Sequence, residues 1–175
     1  MSSPDEYKER ILSYIQGKDP LAVQRRTPEL LAQLVEGKHE TDFQERPETG
    51  KWSVTELLAH LADAEIAASW RYRQMIEHNG GPLSPYDQQL WNTLGSNASR
   101  NSADSLQLFR LLRENNLRMF DQLTDEQWNS HGIHAERGEM SVRDLMQQLA
   151  GHDLNHMEQI RNILTTVPRH NPGRL

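Results

Sequence analysis

Apolar residues along this chain recur three and four positions apart, the spacing of one face of an α-helix. Tyr7, Ile11, Leu12 and Ile15 form the first such stripe, in "DEYKERILSYIQG", which opens with acids and stops at Gly17. A second helix is predicted in "DPLAVQRRTPELLAQLVEG", with Asp19 ahead of Pro20 and a stop at Gly37, and Pro28 predicts a break or kink midway. Residues 38–51, with Pro47 and Gly50, read as a loop. A long helix follows from about Trp52 to Ile76, striped by Val54, Leu57, Leu61, Ala64, Ala68 and Met75. Residues 79–101 read as a long connector with one short helical turn. The next helix, about Ser102 to Leu123, carries Leu106, Phe109, Leu112, Phe120 and Leu123. After "TDEQW" and a loop "HGIHAERGE", the last helix runs from about Ser141 to Leu164. No stretch alternates with period two, so no strand is predicted. The pattern is that of an all-α protein whose four principal helices form a bundle.

Two segments echo each other. "GKWSVTELLAHLA" (50–62) and "GEMSVRDLMQQLA" (138–150) align without gaps, each with a serine N-cap and an acid three residues later. Ser53 with Glu56 is a full capping box; Asp144 is shorter than Glu, so Ser141 with Asp144 should make a weaker one. Both are well-made helix starts, and they fix the face on which every later residue lies.

That phase puts histidines in the core seam. In the last helix the seam runs Leu145, Leu149, His152, His156, Ile160, Ile163, so two imidazoles stack one turn apart in mid-stripe. His60 flanks the stripe of the earlier helix, three residues after Leu57 and four before Ala64. Three inward histidines from two helices are the ingredients of a facial three-nitrogen metal site with open positions. Spacing leaves two readings open, because a single core histidine is more often a hydrogen-bonded packing residue. Two of them buried unpaired, however, cost free energy that an apolar pair would avoid. "HDLNH" also fits a loose H-[DE]-x-x-H pattern, but Asp153 stands where a metalloprotease has its glutamate base, and its shorter reach makes the match weak. The other histidines look peripheral: His39 and His170 in polar loop or tail, His78 at a helix end, His131 and His134 in the loop before the last helix. Trp70, Tyr72, Trp91 and Trp128 are expected in core or rim.

Composition narrows the function classes. The 175 residues suit a single domain over 1–175. A net charge of −6 argues against a nucleic-acid partner, and no apolar run approaches membrane-spanning length. The first residues, "MSSPDEYKER", lack the features of a secretory signal, so a cytoplasmic protein is expected. There is no cysteine, which excludes disulfides, thiolate metal ligands and a cysteine nucleophile.

"KWSVTELLAHLADAE" with His60, and about ninety residues on "SVRDLMQQLAGHDLNHMEQI" with His152 and His156, resemble the DinB/YfiT-like superfamily from the first helix to about Leu164. The resemblance implies a four-helix bundle that holds a divalent metal, zinc or nickel, through His60, His152 and His156. It also implies a departure from simple up-and-down topology, for which the 79–101 connector would serve as crossover, and a homodimer. Members of that superfamily include thiol-dependent transferases and isomerases and metal-dependent hydrolases, so an enzyme acting on a small molecule is implied and its substrate left open. Three neutral imidazoles would leave a divalent charge uncompensated and favour an anion beside it, either hydroxide or the thiolate of a low-molecular-weight thiol. With no cysteine in the chain, such a thiol would come from outside. Glu65, placed at a polar rim, and Asp153, placed off the seam, are candidate bases or supporting groups. The alternative is a non-catalytic metal- or ligand-binding bundle.

Overall fold

A computed structural model describes residues 4–166, so His170 lies outside the described residues. In chain order the elements are α1 (Pro4–Ser13), α2 (Pro20–Val35), α3 (Thr41–Gln44), α4 (Val54–Glu77), β1 (Gly81–Pro82), α5 (Gln88–Leu94), a 3-10 turn (Asn97–Ser99), α6 (Ser102–Phe120), α7 (Asp125–Asn129), β2 (His131–His134), β3 (Gly138–Ser141) and α8 (Val142–Thr166). The four long helices α2, α4, α6 and α8 form the bundle. α2 and α4 each pack against both α6 and α8, and α1 lies along α8.

The apolar stripes bury themselves in two clusters separated along the helices. One joins Leu31, Leu57, Leu61, Phe109 and Ile160; the other joins Tyr72, Leu117, Phe120, Leu145 and Leu149, with Leu21 against it. α4 and α6 therefore run from the first cluster to the second, and α2 and α8 run from the second to the first. Contacts from Thr55 to Ser102, Glu65 to Arg113 and Tyr72 to Phe120 confirm that α4 and α6 are parallel neighbours. A parallel pair obliges the chain to return the length of the bundle, about 36 Å for the 24 residues of α4 at about 1.5 Å per residue. Residues 78–101 make that return and are the expected crossover. They hold more structure than the expected single turn, because Asp87 accepts from the Gln89 and Leu90 amides and starts α5 as a capped helix.

Three other features differ from expectation. Pro28 does not break α2, which is one helix over Pro20–Val35. A proline cannot donate to the carbonyl four residues back, and here the freed oxygen of Gln24 accepts instead from Arg113 Nη1 at 3.3 Å. The segment 38–51 contains the short helix α3, which buries Phe43. There is also a small three-stranded sheet, in the order β1-β2-β3, with β1 parallel and β3 antiparallel to β2. β2 reads His131, Gly132, Ile133, His134, and only Gly132 is fully buried, so no apolar alternation announces it. Gly132 is needed because a Cβ there would sit 2.5 Å from Leu83 Cδ2.

Both helix starts behave as boxes. Ser53 accepts from the Glu56 amide while Glu56 accepts from the Ser53 amide. Asp144, despite its shorter side chain, accepts from the Ser141 amide at 3.0 Å and hydroxyl at 2.6 Å. The caps hold α4 and α8 in phase, which brings the face of His60 against the face of His152 and His156.

Candidate metal centre

His60 descends from α4 and His152 and His156 from α8, and all three are buried, at 2%, 8% and 8% exposure. Their ring nitrogens meet at one point. Nε2 of His60 lies 3.0 Å from Nε2 of His152, which lies 3.1 Å from Nε2 of His156, and the three ligand atoms fall within 4.8 Å of one another. The Nδ1 atoms face away from that point. His156 Nδ1 meets Gln159 Oε1 at 3.0 Å, His60 Nδ1 meets the Tyr86 hydroxyl at 3.5 Å, and His152 Nδ1 lies 3.8 Å from Asp153 Oδ1. Trp52 leans over the His60 ring, with centroids 4.8 Å apart.

These partners set the protons. An amide oxygen asks for an N–H, so His156 carries its proton on Nδ1 and turns a bare Nε2 lone pair towards His152. At 3.1 Å that lone pair is close enough to the His152 Nε2 to share a proton or a cation with it. Burial, reinforced by the two neighbouring imidazoles, holds the His60 side chain well below its ordinary value. Burial and then His152 push His156 down to about 3, against a smaller opposing pull from Gln159. His60 and His156 are thus neutral at neutral pH, the protonation state that ligates metals. Ligands about 2.0–2.1 Å from a zinc ion stand about 3 Å apart, so the donor spacing fits as well as the donor chemistry.

The two carboxylates expected near the site lie elsewhere than predicted. Glu65 is not on a rim, and Asp153, though off the seam, is buried as well; they are 2% and 1% exposed. Neither belongs to the histidine cluster. Arg113, with no exposed side chain, bridges them, giving Nε and Nη2 to Glu65 at 3.0 and 2.9 Å and Nη1 to Asp153 at 2.8 Å. Asn116 adds a hydrogen bond to Glu65 at 2.8 Å. Burial alone would push the Asp153 carboxyl up, but Arg113, followed by His152, holds it below its ordinary value. Arg113 escaped the sequence reading, as did Tyr86 and Gln159. A signal for Arg113 existed: it stands four residues after Phe109 and seven before Phe120, a polar break in mid-stripe like that of the histidines.

The remaining residues fall largely as expected. His78 is an exposed C-cap, His39 is exposed, and His131 and His134 are half-buried, on β2 rather than in a loop. Tyr72 is core, Trp91 and Trp128 are half-buried, and Trp70 is 55% exposed.

The profile of the DinB superfamily matches residues 24–160. The chain belongs to the DinB superfamily. Among curated relatives of this DinB chain, "Putative metal-dependent hydrolase YfiT" of Bacillus subtilis is 24% identical over 160 residues, covering 90% of each chain. "Putative metal-dependent hydrolase OB0413" of Oceanobacillus iheyensis is 22% identical over 135 residues, covering 77% of this chain and 78% of its own. The solved structure of YfiT from Bacillus subtilis, described as an unusual four-helix bundle topology, superposes with a TM-score of 0.77 at 20% identity. That superposition covers 93% of this DinB chain and 88% of the other, and shows that the fold is shared. Among the described residues, no helix is long and apolar enough to cross a membrane.

Proposed function

We propose that His60, His152 and His156 hold a divalent metal ion and that the protein is a metal-dependent enzyme acting on a small molecule, with hydrolysis as its reaction. The observation that carries this is the convergence of three Nε2 atoms from buried imidazoles at 3.0 and 3.1 Å. The names of the two curated relatives, each printed as "Putative metal-dependent hydrolase", support the reaction class. Zinc or nickel suits an all-imidazole donor set. When bound, such an ion supplies Lewis acidity, which eases proton loss from a nucleophile entering an open position.

The chain's own residues do the rest. Gln159 orients His156 at its Nδ1, Asp153 sets a carboxylate 3.8 Å from the Nδ1 of His152, and Arg113 with Glu65 fixes Asp153 in turn. The Tyr86 hydroxyl stands 3.5 Å from His60 Nδ1, on the side of that ring away from the Nε2 cluster. Asp153 is a positioning residue in this scheme, and Glu65 acts only through Arg113. A second reading is transfer to a low-molecular-weight thiol, which in a chain without cysteine would come from outside.

The test is elemental analysis of protein purified without affinity-column metal, together with His60→Ala, His152→Ala and His156→Ala. Each variant should lose most bound metal while its helical circular dichroism largely survives, and full occupancy in all three would sink the proposal. Added thiol should inhibit a hydrolase and accelerate a transferase, which separates the two readings.

A further inference from the structure

His60 differs from the other two histidines in where its Nδ1 finds a neighbour. Gln159 meets His156, and Asp153 faces His152, from within α8 itself. Beside the Nδ1 of His60 stands the Tyr86 hydroxyl, at 3.5 Å, and Tyr86 belongs to the connector between α4 and α6.

The connector is held there along a polar stripe of α4. Glu56, His60, Asp63, Arg71 and Gln74 fall at spacings of four, three, eight and three, so they share one face of the helix. The four besides His60 all hold the connector. Glu56 accepts from Asn92 at 3.2 Å and Asp63 from Asn97 at 3.0 Å. Arg71 donates through Nε and Nη2 to the Ser84 carbonyl at 3.2 and 3.0 Å, and Gln74 accepts from the Ser84 amide at 3.4 Å. His60 stands within that stripe, and its contact with the connector is Tyr86. Trp91 packs edge-on against the Tyr86 ring, centroids 4.8 Å apart, while Trp52 leans on the His60 ring from the segment ahead of α4. Two acids act on Tyr86, and both are engaged elsewhere: Asp63 with Asn97 and Arg100, Asp87 with the amides that start α5.

An ion held by the three Nε2 atoms leaves the His60 proton on Nδ1, where the Tyr86 oxygen is the acceptor in reach. At 3.5 Å the contact is long and worth little to a neutral imidazole, whereas ligation at Nε2 makes the N–H a stronger donor. We propose that Tyr86 is the positioning residue of His60, and that through it the connector is part of the metal site. Docking of the connector and binding of the ion then favour each other. This rests on the metal-binding reading of the histidines and adds to it a role for the return path between α4 and α6.

Tyr86→Phe keeps the ring against Trp91 and removes only the oxygen. Competition titration of the full chain with zinc should show an affinity about tenfold weaker in this variant, the low end of what such outer partners contribute. By reciprocity, zinc should slow hydrogen exchange of residues 84–92 in the unaltered chain, and that protection should shrink by the same factor in the variant. In NMR spectra of the zinc-loaded chain with isotope-labelled histidines, the Nδ1 proton of His60 should move upfield and exchange faster in Tyr86→Phe. The Nδ1 proton of His156, held by Gln159, should stay in place. A general loosening of the fold would move both protons. Unchanged zinc affinity overturns the proposal and leaves the metal reading standing, as does a weaker affinity in which the His60 proton is unmoved or both protons move. An unaltered chain that binds no zinc overturns the metal reading and the proposal with it.

Discussion

An arginine with no exposed side chain has to be neutralised where it sits, and Arg113 is neutralised twice over, by Glu65 and Asp153. Removing it leaves two carboxylates buried at 2% and 1% exposure without their counter-ion. Arg113→Leu should therefore destabilise the protein by about 3–5 kcal/mol in a denaturant melt, and a loss below about 1 kcal/mol would contradict the bridge described here. Asp153→Asn keeps the shape but removes the charge facing His152, and should weaken metal binding about 10–100-fold in a competition titration while helical content persists. The histidines give a pH signature. His60 and His156 have folded-state values below that of an unfolded imidazole, about 6.5, so the unfolded chain binds more protons as pH falls. Their contribution to the stability of the metal-free chain is complete above about pH 6.5 and declines below it, by up to about 1.4 kcal/mol per pH unit for each, until His156 itself titrates near 3. A metal-free protein equally stable at pH 7 and pH 4.5 would contradict neutral buried imidazoles. The three histidines were legible in the sequence because they interrupt apolar stripes whose phase the capping serines set. Arg113 carried the same kind of signal on α6, but its partners, distant by 48 and 40 positions, did not.

The contact between α1 and α8 depends on one glycine. A Cβ at Gly151 would lie 2.0 Å from the Ile11 carbonyl oxygen, a backbone atom that can yield only by moving α1. Gly151→Ala should push α1 away from α8, with faster hydrogen exchange in residues 4–13 as the direct readout and a loss of about 1–3 kcal/mol. Unaltered exchange in α1 would show that the helix does not rest there. Because Gly151 precedes His152, the same substitution should loosen that ligand as well. At this scale the sequence was read well where elements are long and amphipathic and poorly where they are short. α4, α6 and α8 begin and end within three residues of their expected bounds, since buried stripes and caps define them. The hairpin of β2 and β3 was missed because its strands pair through backbone and bury few side chains. Pro28 does not break α2 for another reason: the cost of the lost hydrogen bond is offset by Arg113, a partner 89 residues away.

At the scale of the whole molecule, the site joins histidines that are 92 residues apart in sequence. A metal that binds only the folded arrangement stabilises it in proportion to the logarithm of free metal over its dissociation constant, about 2.7 kcal/mol at a hundredfold excess. Stripping the ion with a chelator should lower the melting temperature by several degrees, and readdition should restore it; His152→Ala should show neither change. The bundle was legible from its stripes, and the DinB resemblance supplied the departure from up-and-down order. What local patterns did not carry was the direction of the helices, because a stripe says which face is buried and not which way its neighbour runs. The parallel pairing of α4 with α6 has a consequence in time. Helices that are neighbours in an up-and-down bundle can zip together as a local hairpin, whereas these two meet only after residues 78–101 have folded back along them. The contact order of the molecule is raised accordingly, and the nucleus must close a long loop before it gains any burial. This protein should fold more slowly than a hairpin-connected helical bundle of equal length and stability, with the connector ordering before the transition state rather than after it.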